Sequence, residues 1–248
     1  MPGADALYIL GDLFESWVGD DGLELPFNAR IAGDLARAAR ATPVYFMHGN
    51  RDFLVARRFA EETGVELLED PALVDLYGTR TLLMHGDTLC TADTQYQAFR
   101  AQVRNPAWQQ AVLARPLEQR IAMAQGLRGQ SEGAKHDKSM EIMDVTVDAV
   151  LDAYRKHEAP LMIHGHTHRP MRHVHDVGGR QCVRWVLPDW YGAGGYLEVS
   201  ASGVRALSAL APPASARAIA AFTFGISSRA NRSAMPITRR RYSSSWPA

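Results

Sequence analysis

The chain has 248 residues with 27 Lys+Arg and 27 Asp+Glu, yet no acidic residue follows Glu198. From Pro212 to Ala248 there are six arginines (Arg217, Arg229, Arg232, Arg239, Arg240 and Arg241), no lysine and no acid. The neutral total therefore hides a net-acidic body and a basic tail, and such asymmetry marks a separate segment. Cysteine is scarce. Cys90 and Cys182 are too few and too far apart for a disulfide framework, and they read as reduced thiols of a cytosolic protein. No apolar run approaches the length of a transmembrane helix. Met1-Pro2-Gly3-Ala4-Asp5 has no basic region leading into an apolar run, so no signal peptide is expected. What remains is an ordinary globular composition, 46% apolar, and a length that buries one sizeable core.

Along the chain, short apolar runs alternate with helical patterns. Ala6 to Leu10, Val44 to Met47, Thr81 to Met84 and Leu161 to Ile163 read as buried strands. Leu73 to Tyr77 and the Thr81 strand flank Gly78, as in a hairpin. Helices are predicted over 28–41, about 54–62 with Gly64 as the stop, and 144–156. The stretch 93–138 reads as helical pieces broken at Pro106, Pro116, Gly126 and Gly129. Short strands then follow to about Leu210, with a Gly178-Gly179 turn. Residues 212–248 are rich in Ala, Ser and Arg and predict mostly disorder, with a short helix possible over 218–224. This pattern implies an α/β domain whose sheets are covered by helices.

Each of the four apolar strands runs into a cluster of polar residues containing glycine. The clusters are Gly11-Asp12, His48-Gly49-Asn50-Arg51-Asp52, His85-Gly86-Asp87 and His164-Gly165-His166-Thr167-His168. Loops beyond the carboxyl ends of strands can converge while the strands stay rigid. Gly-Asp alone is a common turn, but a carboxylate can also bridge two cations. Asn50 offers a neutral oxygen to a metal, and Arg51 a planar fork to a phosphate. Asp52 reads as a helix N-cap or an orienting group. Three histidines in five residues after an apolar strand point to metal. His173 and His175 alternate on the next strand as one solvent face does and stay outside the site. Mixed oxygen and imidazole donors without thiolate favour manganese, iron or zinc at a hydrolytic centre. Two such ions about 3.5–4 Å apart suit in-line phosphoryl displacement.

The order Gly-Asp, Gly-Asn-Arg-Asp, Gly-His-Thr-His resembles the signature of the calcineurin-like metallophosphoesterases. Ala6 to Glu15 with Trp17 and Gly19-Asp20-Asp21, His48 to Phe53, Met84 to Thr91 and Ile163 to Pro170 look like the UDP-2,3-diacylglucosamine diphosphatase family of lipid A biosynthesis. Arg51 directly after Asn50 is characteristic of that branch. The resemblance runs from about Ala4 to Leu210. It implies a four-layer αββα sandwich with a helical cap over about 93–138. The reaction implied is hydrolysis at the α-phosphate, giving UMP and 2,3-diacylglucosamine 1-phosphate. Two Mn2+ ions per chain are implied, with peripheral attachment to the cytoplasmic face of the bacterial inner membrane. The Arg-rich tail has few aromatics and no recognised fold, so no nucleic-acid partner is expected.

Residue by residue, the resemblance implies that Asp12 bridges both metals. Asn50, His85 and His166 would complete one site, and His168 would belong to the other. Arg51 would stabilise charge on phosphorus, and Asn50, Arg51, Asp93, Ser131, Lys135, Lys138 and His166 would contact substrate. Seven basic residues between Arg100 and Lys138 suit a diphosphate lipid. Tyr96, Phe99, Trp108 and Leu113 read equally as core or acyl contacts. The family pattern also begins with a strand ending in Asp-x-His, which ligates the metal that His168 joins. No histidine precedes His48, and Asp5 is the one acid before Asp12. One metal site is therefore expected to be incomplete, a sheet edge exposed and turnover impaired, as a mispredicted or frameshifted reading frame would produce. The domain is expected over 1–211, with 212–248 a dispensable tail. Another phosphoesterase activity, or a remnant that only binds ligand or partner, remains an alternative.

Overall fold

The computed structural model describes residues 4–137, 142–190, 194–208 and 218–222. Strand β1 (Ala4–Leu10) leads through helix α1 (Pro26–Ala39) to β2 (Val44–Met47), and α2 (Arg57–Thr63) leads on to β3 (Glu66–Leu68). The three strands are parallel, with Leu7 opposite Val44, Leu10 opposite Met47 and Tyr45 opposite Glu66. Pro26 at the start of α1 suits a position that needs no amide donor, and Gly64 ends α2 in the left-handed region at φ 70°.

A second sheet begins with the hairpin β4 (Ala72–Leu76) and β5 (Thr79–Met84). The chain then leaves through α3 (Thr94–Val103), α4 (Pro106–Leu113) and α5 (Leu117–Asp137). It returns through α6 (Val147–His157) to β6 (Leu161–His164), followed by the hairpin β7 (Met171–Val177) and β8 (Arg180–Val186). Strands β9 (Gly195–Ser200), β10 (Gly203–Ser208) and β11 (Ala218–Phe222) rejoin the first sheet. The sheets run β10-β9-β11-β1-β2-β3 and β4-β5-β6-β8-β7.

The strand sequences explain the layering. Alternate residues of a strand face opposite sides, so a strand buried on both faces must be apolar throughout. Ile9 and Phe46 pack outward on Ile31, Leu35 and Phe59 of α1 and α2. Leu10 and Met47 pack inward on Leu83 and Ile163 of the other sheet. Leu82, Met162 and Cys182 pack on Val150 and Tyr154 of α6. Helices, two sheets and a helix make the expected αββα sandwich.

Three expectations need correction. Strand β11 lies in the segment expected to be mostly disordered or briefly helical. It sits between β9 and β1, parallel to β1 with Ala220 opposite Leu7, and antiparallel to β9 with Ala220 opposite Glu198. Alanine is the best helix former, but propensity is a weak prior, and two strands with unpaired amides and carbonyls offer backbone pairing that overrides it. For the same reason the expected open edge at β1 is absent, because β1 is paired on both sides. Finally, α5 runs through Gly126 and Gly129 without a break. A Cβ at either would meet nothing, so each glycine costs only its extra backbone entropy, about 1 kcal/mol.

A proline in a central strand removes one ladder bond and clashes with its neighbours, at a cost of about 3 kcal/mol or more. Ala220→Pro is therefore expected to lower Tm by roughly 6–12 °C in scanning calorimetry. An unchanged Tm would show that 218–222 adds nothing to the sheet and that the segment is dispensable after all.

Candidate metal centre

The carboxyl ends of β1, β2, β5 and β6 meet because β1 and β2 are adjacent parallel strands, β5 and β6 are likewise, and the two pairs face each other across the inner core. Asp12, His85 and His166 bring one ligand atom each within 4.8 Å of one another. The Asn50 side-chain oxygen Oδ1 joins them, 3.1 Å from His85 Nε2 and 3.0 Å from His166 Nδ1. His85 Nε2 is 3.9 Å from Asp12 Oδ1. His85 Nδ1 lies 2.9 Å from the Leu10 carbonyl and donates to it, which turns the Nε2 lone pair toward the cluster. Carboxylate, amide oxygen and imidazole lone pairs converging on one point need a shared cation or proton. The donor set fits a divalent ion of the manganese–iron–zinc group.

Close approach of the loops demands particular backbone. A Cβ on Gly49 would overlap the Asp12 carboxylate and main chain, so the β2 loop can pass here only as glycine. Asp12, His166 and His168 have φ of 55°, 65° and 54°, a region costly for side-chain-bearing residues. Asp52 holds the arrangement. Fully buried, its carboxylate accepts from the amides of Gly49 (2.8 Å), Asp12 (3.3 Å) and Phe14 (3.3 Å). Asp52 is thus the orienting group and not a helix cap, since α2 starts at Arg57. His48, the first residue of that cluster, turns away and bonds the Val55 carbonyl at 2.8 Å.

Electrostatics separate the histidines. Burial pulls His166 down to about 4, with His85 adding to the effect. Burial, partly offset by Asp12, lowers His168. At His85 burial is the largest influence and lowers the pKa, but Asp12, Asp87, the Leu10 carbonyl and Asp70 outweigh it, leaving the pKa raised. Burial and Asp12 push Asp52 up to about 6.

Arg51 stands at the rim. Its Nη1 bonds Glu15 at 2.6 Å, its Nε is 3.6 Å from Asp12, and its amide donates to Asp12 Oδ1 at 3.0 Å. Asp93 caps α3 by accepting from the Tyr96 amide at 3.0 Å. Ser131 and Lys135 lie on α5, and Lys138 lies outside the described residues. His168 is not in the close cluster, but it feels the charges of Asp12, Asp189 and Arg51.

Several residues had no role in the sequence reading. Asp87 accepts from the Tyr96 hydroxyl and from Arg100 Nε at 2.8 Å, fastening α3 to the site. Glu15 accepts from both Arg51 and Arg128 of α5. Buried Arg120 pairs with Asp21, and Arg104 bonds the Gly49 carbonyl at 2.8 Å beneath Phe53. The cap arginines thus serve as fasteners, a use that their basic run could not reveal. His173 and His175 also depart from expectation. They are half-buried, and His175 packs 5.9 Å from the Tyr154 ring.

These pKa directions set a pH dependence. A cation must displace the His85 Nε2 proton, which is held more tightly than usual, whereas His166 is already neutral above about 4. Mn2+ affinity is therefore expected to fall between pH 8 and 6, by about tenfold per unit where one proton is displaced. Electron paramagnetic resonance titration of free Mn2+ measures it, and an affinity flat over that range would remove His85 from the ligand set.

The calcineurin-like phosphoesterase family matches residues 2–170. A UDP-2,3-diacylglucosamine hydrolase of Aromatoleum aromaticum is 51% identical over 198 residues, covering 80% of this chain and 81% of the relative. One from Chromobacterium violaceum is 50% identical over 204 residues, covering 82% and 84%. One from Xanthomonas campestris pv. campestris is 49% identical over 211 residues, covering 82% and 85%. With that identity over most of its length, and strand-end loops that bring carboxylate, amide and imidazole together, the chain belongs to the calcineurin-like phosphoesterases and, within them, to the UDP-2,3-diacylglucosamine hydrolase family.

Proposed function

We propose that this chain hydrolyses UDP-2,3-diacylglucosamine at the α-phosphate, releasing UMP and 2,3-diacylglucosamine 1-phosphate. The observation that carries the reading is Arg51 beside the Asp12, Asn50, His85 and His166 cluster, a cation-binding group with a phosphate-binding fork at its rim. The names of relatives about 50% identical supply the substrate class.

Asp12, Asn50, His85 and His166 would hold one ion. His168 would serve a second together with Asp12, and for that ion the described residues supply fewer ligands. Mn2+ suits the mixed oxygen and nitrogen donors. When bound, such ions activate water and neutralise charge on phosphate. The chain's own groups do the rest. Arg51 places a permanent positive charge where charge builds up on phosphorus. Asn50 and His166 face the same centre and orient the diphosphate, and Asp93, Ser131, Lys135 and Lys138 are the residues proposed for the remainder of the substrate. In this reading the domain proper is 1–211, and β11 of the tail joins its sheet. No described helix is long and apolar enough to cross a membrane. A diacylated substrate resides in a bilayer, so the enzyme works peripherally, at the cytoplasmic face of the inner membrane.

Purified chain, detergent-dispersed UDP-2,3-diacylglucosamine and Mn2+ test the reading by UMP release. Arg51→Ala is expected to lower kcat by about 100-fold or more, the scale for losing a group aimed at transition-state charge. Asn50→Ala and His166→Ala are expected to lose Mn2+ affinity as well as rate, and elemental analysis should find about one tightly held manganese per wild-type chain. UMP release that persists undiminished in all three variants would overturn the assignment. Two tightly held ions would overturn the ligand count.

A further inference from the structure

We infer that His164 and Arg184 form a buried positioning pair for the loop that carries His166 and His168. This rests on the metal-centre reading above and extends it to two residues outside the ligand cluster.

His164 is the first histidine of His-Gly-His-Thr-His, yet it is wholly buried at the end of β6 and both ring nitrogens are engaged. Its Nε2 lies 2.9 Å from Arg184 Nη1. A guanidinium has donors only, so this Nε2 must accept. The ring is then neutral and its proton sits on Nδ1, 2.9 Å from the Gly165 carbonyl, to which it donates. Arg184 therefore selects the tautomer, and the tautomer supplies the bond to the loop.

The loop is held around that bond. The Gly165 amide donates to the His85 carbonyl at 2.9 Å, and the Gly165 carbonyl also accepts from the Thr167 amide at 2.8 Å. The Leu187 amide donates to the His164 carbonyl at 2.8 Å. On the other side, a Cβ on Gly86 would come within 2.7 Å of His164 Nδ1, so the imidazole is packed directly against the turn after His85. One ring thus sets the spacing of the two loops bearing His85 and His166. Left-handed backbone at His166 and His168 persists only where neighbours over-determine it, and the His164 ring adds to the backbone bonds that hold this loop.

Arg184 is an expensive residue for a role in packing alone. It is 6% exposed, and no carboxylate lies within ion-pair distance of it among the described residues. Asp144 acts on it only from beyond ion-pair distance, so this buried cation has no paired anion among the described residues, and an apolar side chain would fill the space more cheaply. Its orientation is itself fixed, since Nε donates to His175 Nε2 at 3.3 Å, and His175 stacks on His173 with ring centroids 6.2 Å apart. The half-buried histidines of β7 thereby acquire a reason to be there.

The test uses the full chain. With 15N-labelled histidine, long-range proton–nitrogen spectra of the wild type are expected to show His164 as the Nδ1–H tautomer, assigned by its loss in His164→Gln. An Nε2–H or doubly protonated ring would overturn the inference, and this readout requires no variant of Arg184 to fold. Arg184→Met is expected to weaken Mn2+ binding by about tenfold or more, the usual scale for groups that orient a metal ligand. It should lower kcat while leaving KM for the lipid within about twofold, and Arg184→Lys, which restores a donor, should recover most of the loss. A lower Tm with Mn2+ affinity and kcat unchanged would show that Arg184 only packs, and would overturn the inference. Wild-type chain that binds no Mn2+ would instead refute the metal-centre reading, and the tautomer spectra of wild type and Arg184→Met would still decide whether Arg184 sets the His164 ring.

Discussion

One buried carboxylate ties the centre together. Asp52 accepts hydrogen bonds from amides on both the β1 and β2 loops, at Asp12, Phe14 and Gly49. Without it, two loops leaving adjacent parallel strands would have three buried amides lacking these acceptors, and each unsatisfied group costs about 1–3 kcal/mol. Burial first, and then the nearby Asp12 charge, raise its pKa, so a second carboxylate at this distance is unfavourable. The cluster therefore calls for positive charge. Arg51 supplies part of it, and the remainder comes either from a proton on His85 or from a divalent ion that displaces that proton.

The same logic joins the cap to the domain. Asp87 sits beneath the site, buried, and takes bonds from Tyr96 and Arg100 of α3. Glu15 joins Arg51 at the centre to Arg128 on α5. The helical segment is thus anchored by ions that border the chemistry. A single carboxylate, Glu15, joins an arginine of the cap to the arginine at the centre.

Much of the fold was legible because its signals are local. Strands buried on both faces must be apolar along their whole length, as Ile9 and Leu10, Phe46 and Met47, and Leu82 and Leu83 are, facing opposite layers in turn. Polar clusters at strand ends were equally plain, and the structure brings Asp12, Asn50, His85 and His166 to one point. Less local features escaped. Glycines at 126 and 129 looked like breaks because propensity cannot register that α5 is held by Arg120 and Arg128. Alanine-rich 218–222 looked helical or disordered because its partners, β1 and β9, lie far away in sequence.

Sequence by itself determined which residues could do chemistry, since donor type and charge belong to the side chain: carboxylate, amide and imidazole at strand ends, with Arg51 beside them. It also determined the alternation that builds two sheets between helices. Tertiary structure alone decided which of those residues meet and which support. His164 and His166 are two residues apart in one motif, yet one faces the cluster and the other faces a buried arginine 20 residues on. Backbone turns at positive φ make that division, and they are held by contacts between strands that no local pattern encodes.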